Sequence, residues 1–281
     1  MNNKIGIDNK NLKLIALDLD GTTLNSSGIL TERTRTTIER AIEKGFKVVI
    51  ATGRVRNTLP EAITKIKGLK YAITSNGASV YELPHSKPMY TNFIPEKTVG
   101  RLLDVLRQYN YIIEVFTQGR AYLERSAYEG IREKGSPFGN AEYLLSTREH
   151  IEDLFELCQL HCDSIENINI YIQDGPDRER MRAILEGTDN IEVTSSYDYN
   201  LEICGRSANK AASLEQLCNY FGVRPHEIIA CGDGDNDIKM LKFVGVPVAM
   251  ENANEAVKAV AQYITLSNDE NGVGELIDRI I

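Results

Sequence analysis

No stretch of the 281-residue sequence approaches the roughly 18 consecutive apolar residues that a membrane helix requires, and the longest apolar runs, such as Val48 to Ala51, are strand-sized. The opening residues, MNNKIGIDNKNLK, are polar and lack the basic-then-apolar layout of a secretory leader. A short lead into a first strand, and no membrane partner, are expected. Cysteine is scarce: Cys158, Cys162, Cys204, Cys218 and Cys231 are odd in number and scattered, which argues against a disulfide framework and for reduced thiols in a cytoplasmic setting. A basic surplus is missing too. Lys and Arg number 32 against 40 Asp and Glu, a formal charge of −8, which disfavours a protein that coats nucleic acid but leaves room for a small anionic ligand. Tryptophan is absent, whereas Tyr, at 13, outnumbers Phe, at 7. Tyr122, Tyr128, Tyr143, Tyr171, Tyr197 and Tyr199 fall in the middle of the chain, where they could line a substrate surface or pack with their hydroxyls at the rim. Internal repeats and low-complexity tracts are also lacking.

What is present is ordinary globular composition, 42% apolar and 26% charged, in a chain long enough for about two domains. Leu12 to Asp20 (LKLIALDLD) is an apolar run that ends in carboxylates, as a buried parallel strand does. Thr31 to Lys44 reads as a helix with Thr31 as its cap and Gly45 as its stop. Phe46 to Thr52 and Tyr71 to Ser75 follow as strands, separated by a helical stretch around Leu59 to Ile66. The same alternation returns late in the chain, with a helix capped by Asn209, a strand at Glu227 to Cys231, a helix at Ile238 to Phe243 and a strand at Val246 to Met250. Between them the order changes, with strand-like Tyr111 to Phe116 and Ile168 to Gln173 among helices. The fold class is therefore α/β, a Rossmann-like doubly wound parallel sheet interrupted by an inserted α+β domain. The expected boundaries are a discontinuous core of 1–83 plus 202–281 and an inserted domain of 84–201. Divided so, the core is neutral and the inserted domain carries the whole −8, which disfavours ligands bearing extra negative charge there.

The chemistry gathers at strand ends. Asp18 and Asp20, two residues apart before Gly21, can face one crevice, where ligands of open α/β sheets bind. Carboxylates so close either raise one pKa or recruit a cation, and a divalent metal reconciles them at neutral pH. Gly232-Asp233-Gly234-Asp235-Asn236-Asp237 follows the Glu227 to Cys231 strand and should meet the first pair on the same side of a parallel sheet. Asp18, Asp20 and Asp233 offer the hard oxygens that Mg2+ prefers. An EF-hand fails on spacing, since the central Gly and the final Glu are absent at the required offsets. Thr52 and Gly53 can donate to phosphate oxygens, and Lys210, entering the helix through Asn209, adds an ammonium to a helix N-terminus. A nucleotide-binding P-loop is excluded, because no Gly-x-x-x-x-Gly-Lys-Ser/Thr occurs. Cys158, His161 and Cys162 lie at helical spacing and imitate a metal site, but without a partner elsewhere they read as a partly buried helix face. Asp235 reads as a solvent-facing loop acid.

DLDGTTL, ATGR, the lysine of SANKAASLEQL and GDGDNDIKML, in this order, resemble the four motifs of the haloacid dehalogenase-like superfamily. The long insertion between the second and third is similar to the type II-B cap of its Cof-type branch, and TSNGASVYE and SNDENGVGELI also look typical of that branch. The resemblance implies a Mg2+-dependent phosphatase for small phosphorylated metabolites such as sugar phosphates, working through an aspartyl phosphate. It implies Asp18 as nucleophile and Asp20 as general acid and then base. It implies a Mg2+ site made by Asp18, the Asp20 carbonyl and Asp233, with Asp237 positioning water behind it. The phosphate-binding positions it implies are Leu19 through its amide, Thr52, Gly53, Lys210 and Asn236. One departure is Ala211, where the branch often has Gly after the lysine. Carbon–halogen cleavage is disfavoured because both first-motif carboxylates are present. Two alternatives stay open, phosphoryl transfer as in sugar phosphomutases and a non-catalytic phosphometabolite-binding module. Substrate and oligomeric state are not legible.

Overall fold

A chain with Leu14, Ile15, Ala16 and Leu17 in succession can bury both faces of a strand only at the centre of a covered sheet. The computed structural model, which describes residues 11–136, 138, 141–195 and 198–281, puts them there. Tyr197 and the first ten residues of the polar lead lie outside the described residues. The elements in chain order begin β1 (Leu14–Leu17), α1 (Glu32–Glu43), β2 (Lys47–Ala51), α2 (Glu61–Thr64), β3 (Tyr71–Thr74), β4 (Ser79–Glu82) and β5 (Tyr90–Thr91). They continue α3 (Glu96–Leu106), β6 (Ile112–Thr117), β7 (Arg120–Glu124), α4 (Arg125–Lys134), α5 (Ala141–Thr147), β8 (Glu149–Ile151), α6 (Leu154–Leu160), β9 (Ile165–Tyr171), α7 (Gly175–Glu186), β10 (Ile191–Thr194) and β11 (Asn200–Gly205). The last are α8 (Lys210–Phe221), β12 (Ile228–Gly232), α9 (Ile238–Phe243), β13 (Val246–Ala249), α10 (Glu255–Val260), β14 (Tyr263–Ile264) and α11 (Gly272–Ile280). None of these helices is long and apolar enough to cross a membrane.

The chain divides into two compact units. The first comprises Met1–Gly53, Pro60–Tyr90 and Asn209–Ile281. Its sheet runs β14-β13-β12-β1-β2-β3-β4-β5, and β1 lies parallel between β12 and β2. Chain order reverses at β1, and this is the switch point where such sheets open a crevice. The helices start and stop on local chemistry. Thr31 accepts the Thr34 N–H at the start of α1, and Asn209 accepts the Ala212 N–H at the start of α8. The stretch expected as a helix around Leu59 to Ile66 is shorter, a single turn over Glu61–Thr64 behind Pro60.

The second unit comprises Arg54–Leu59 and Thr91–Ala208. Its sheet runs β10-β11-β9-β6-β7-β8 and is antiparallel apart from the β7–β8 edge. Ile113, Val115, Ile168, Ile170, Leu201 and Ile203 pack with Leu102 and Leu106 of α3 into its core. Glu114, Asn169 and Tyr171 alternate with those residues along the strands and so take the opposite face.

The boundaries differ from those expected at 83/84 and 201/202. Residues 84–90 stay with the first sheet, where Met89 N–H donates to Val80 O (2.8 Å). Residues 202–208 go with the second, because β11 pairs with β9 along its length. Arg54–Leu59, six residues inside the expected core segment 1–83, also joins the second unit. Val55 is buried with Phe116 and Ala121, and Asn57 N–H donates to Gly119 O (2.9 Å).

Candidate active site

Parallel strands deliver the residues that follow them to one end of the sheet. Asp18 follows β1, Thr52 follows β2 and Asp233 follows β12. Asp18 stays in the strand ladder, its N–H donating to Cys231 O (3.0 Å), and its carbonyl accepts the Thr23 hydroxyl (2.5 Å). The chain then leaves β1 in a tight turn over Leu19–Thr23, with Gly21 at φ +77°. Gly21 is required twice over. Its backbone is left-handed, and a Cβ there would stand 2.3 Å from Asp233 Oδ2.

One buried cation serves several carboxylates. Lys210 Nζ lies 2.5 Å from Asp18 Oδ1 and 2.7 Å from Asp237 Oδ1, and the Lys210 and Asp237 side chains have no exposure at all. Asp237 uses its second oxygen to accept the N–H groups of Asp233 (3.0 Å) and Gly234 (3.1 Å), which holds the loop in place. Asp233 accepts the Thr22 hydroxyl (2.6 Å). Carboxylate oxygens of Asp18, Asp233 and Asp237 lie within 4.8 Å of one another, a grouping that could hold a metal ion.

The electrostatics follow from that count. Burial, then the Asp237 charge, pushes the Asp18 carboxyl well above the usual carboxylate range, against the pull of Lys210. Burial raises Asp233 to about 6, opposed by the Thr22 hydrogen bond. For Lys210 burial works the other way, but Asp18 and Asp237 outweigh it and hold the ammonium above the ordinary lysine value. The site therefore carries more negative charge than its own cation balances, and hard oxygens of this kind suit a divalent ion.

The remaining expected residues fall around this cluster. The Asp20 side chain is exposed and stands outside the three-carboxylate group; its carbonyl is the atom expected at the metal. Leu19 is fully buried. Thr52 is buried and its N–H extends the ladder to Ile73 O (2.9 Å). Asn236 donates from Nδ2 to Asn76 Oδ1 (3.0 Å), and the same Asn76 amide lies against Gly53. Asp235 is exposed, as its loop position suggested, and accepts from Asn254 (2.9 Å). Arg54 belongs to the second unit, where it donates to Thr58 O (3.2 Å) and stacks over Tyr143 (5.1 Å). Cys158 is buried in the second unit's core, in the same cluster as Leu103, Leu154 and Ile168. Sequence reasoning missed Thr22 and Asn76. Thr22 was hidden inside DGTTL without a role of its own, and the signal for Asn76 was its place in TSNGASVYE, a stretch that resembles the branch but assigns no residue a role.

The profile of haloacid dehalogenase-like hydrolases matches residues 15–277. This chain belongs to that family. Among relatives, it is 30% identical to 5-amino-6-(5-phospho-D-ribitylamino)uracil phosphatase YitU of Bacillus subtilis, over 94% of this chain and 96% of that one. It is 29% identical to Phosphatase YwpJ of the same organism, over 96% of this chain and all of the other. Among solved structures, a haloacid dehalogenase-like hydrolase from Bacteroides thetaiotaomicron superposes with a TM-score of 0.79 at 32% identity, covering 96% of this chain and 100% of its own. A subclass IIB sugar phosphatase, at 22% identity, shares the fold with the same TM-score. The protein is a Cof-type member and a phosphatase, with a Rossmann-like core and a cap.

Proposed function

We propose that this phosphatase hydrolyses monoesters of small phosphorylated metabolites through an aspartyl phosphate on Asp18, with Mg2+ as its cofactor. The observation that carries the reading is the surplus of carboxylates over Lys210: Asp18 and Asp237 share one buried ammonium, and Asp233 lies beside them. Asp18, the Asp20 carbonyl and Asp233 would hold the metal, which when bound offsets the charge of nucleophile and phosphate so that one anion can approach another. Asp237, whose oxygens are engaged by Lys210 and two backbone N–H groups, organises the loop that presents Asp233.

A carboxylate oxygen of Asp18 attacks phosphorus, the ester P–O bond breaks, and Asp20 gives its proton to the departing alkoxide. Water then attacks the same phosphorus, Asp20 takes the proton back, and the bond to Asp18 breaks to release inorganic phosphate. The exposure of Asp20 suits a group that must meet both alcohol and water. Lys210, Thr52, Asn236, Gly53 and the Leu19 amide serve as donors to the phosphoryl oxygens, where charge persists through transfer.

A panel of phosphate esters assayed with Mg2+ at neutral pH tests the reading, and 5-amino-6-(5-phospho-D-ribitylamino)uracil belongs beside the sugar phosphates because relatives are named for it. Turnover of an aryl phosphate is expected in the wild type and lost in Asp18→Asn. Near-normal turnover by that variant overturns the proposal. Isotope-labelled water appearing in the released phosphate supports hydrolysis, and its absence supports transfer to a second acceptor.

A further inference from the structure

The turn between β3 and β4 carries the most unusual backbone in the first unit. Ser75, Asn76 and Gly77 stand in succession at φ +49°, +54° and +103°. Ser75 and Asn76 are both buried. Two adjacent non-glycine residues persist in the left-handed region only where their surroundings over-determine them. Those surroundings are the loops of the site. Asn76 N–H donates to Thr52 O (3.0 Å), and its Oδ1 accepts from Asn236 Nδ2 (3.0 Å). The same oxygen lies 3.1 Å from where a Gly53 Cβ would stand. Gly77 packs on Asn209, whose carbonyl oxygen would be 2.3 Å from an added Cβ, and Gly77 O accepts the Ser213 hydroxyl (2.7 Å). Three residues thus touch the Thr52-Gly53 loop, Asn236, and the residue that precedes Lys210.

We propose that Asn76 is a positioning residue: its side-chain amide locks the Asn236 amide against the Thr52-Gly53 loop, so that these groups present their donors to phosphate as one preorganised cradle. This rests on the phosphate-binding reading given above. An amide nitrogen has two hydrogens. With one given to Asn76 Oδ1, the Asn236 amide has a fixed plane and a fixed end, and its second N–H keeps one direction for an anionic oxygen. Donors that need not reorganise at the moment of reaction are the effective ones. The left-handed backbone at Asn76 is what brings its short side chain between the two loops, since it turns the chain back immediately after Thr74.

Asn76→Gly separates the two roles, because glycine suits the positive φ and lacks only the amide. The measurements are kcat/KM for an aryl phosphate, the affinity for inorganic phosphate in the presence of Mg2+, and thermal stability. Asn76→Gly is expected to keep or raise the melting temperature while kcat/KM and phosphate affinity each fall about three- to tenfold, the scale of one positioning hydrogen bond. Asn236→Ala should lose at least as much, and the double variant no more than Asn236→Ala alone, because Asn76 acts through Asn236. Wild-type phosphate affinity in Asn76→Gly overturns the proposal, and so do losses that multiply in the double variant. If the wild type turned over no ester yet bound phosphate with an affinity that fell in Asn76→Gly, the hydrolytic reading would fail and the positioning role would stand.

Discussion

Each of the two units buries an acid against a base, and the two clusters are built to opposite plans. In the second unit Glu114, with no exposure, accepts Arg148 Nε (2.8 Å), Asn169 Nδ2 (3.1 Å) and the Tyr171 hydroxyl (2.9 Å). Arg148 is held between Phe116 (5.9 Å) and Tyr143 (4.9 Å). One negative charge meets one positive charge, and neutral donors fill the remaining lone pairs, as a buried pair must if it is to repay its desolvation. In the first unit Lys210 meets Asp18 and Asp237 at hydrogen-bond distance with Asp233 beside them. That cluster is left short of positive charge. A buried charge cluster that the fold completes is architecture, and one that the fold leaves incomplete marks where a ligand enters.

The largest effects should come from the incomplete cluster. Asp18→Asn is expected to lower turnover of a phosphate ester by about a thousandfold or more, since the attacking group itself is gone. The same substitution removes one of three crowded acids, so the metal-free variant should melt no lower than the wild type. A clear loss of stability in metal-free Asp18→Asn would show that Asp18 is needed for charge balance, and the contrast between the clusters would collapse.

Next in size are the two cations. Lys210→Met and Arg148→Met should each cost about 3–5 kcal/mol in denaturant unfolding of the metal-free protein, because each strands buried carboxylate without a partner. The difference lies in rescue. Mg2+ should return part of the loss in Lys210→Met, where Asp18 and Asp233 still offer oxygens, and none in Arg148→Met, where Glu114 keeps its neutral donors but has no site for an ion. Equal responses to Mg2+ would erase the distinction. Replacing both partners, Glu114→Leu with Arg148→Met, should restore most of the stability lost in the single Arg148→Met variant.

Sequence disclosed the incomplete cluster far better than the complete one, for physical reasons. Asp18, Thr52 and Asp233 each follow a short apolar strand, and parallel pairing brings every such strand end to one side of the sheet, so local pattern alone predicts their meeting. The helix starts at Thr31 and Asn209 were equally local, each a side chain accepting an N–H three residues on. Glu114, Arg148 and Tyr171 meet through antiparallel register and a loop, which no local spacing encodes. Arg54–Leu59 joins the second unit through Val55 against Phe116 and Ala121, contacts made across more than sixty residues of chain, and its sequence looks like an ordinary connection. Asn76 lay within a stretch that resembles the branch and was illegible as a brace, because its partner lies 160 residues away.

The smallest expected effect is on pH, and it sharpens the contrast most cleanly. Asp233 is raised to about 6 in the folded protein, chiefly by burial, from an ordinary value of 3.8. Between those values the folded chain binds more protons than the unfolded one, so this carboxyl contributes stability that is fully present below about pH 4 and is lost as pH rises through about 6. Asp18, raised well above its ordinary value by burial and Asp237, acts in the same direction and extends the loss to higher pH. Mg2+ binding requires the ionised carboxylates and expels those protons. The rise in melting temperature given by Mg2+ should therefore be small near pH 5 and grow as pH passes about 6. In the second cluster burial opposes the Arg148 charge but Glu114 outweighs it, and burial with Glu114 raises the Tyr171 hydroxyl, so both keep their protons across this range. Melting curves from about pH 5 to about pH 8, with and without Mg2+, check the sign. A Mg2+ increment that stays constant over that range would mean that Asp233 is ionised throughout, and that the first cluster is no more short of positive charge than the second.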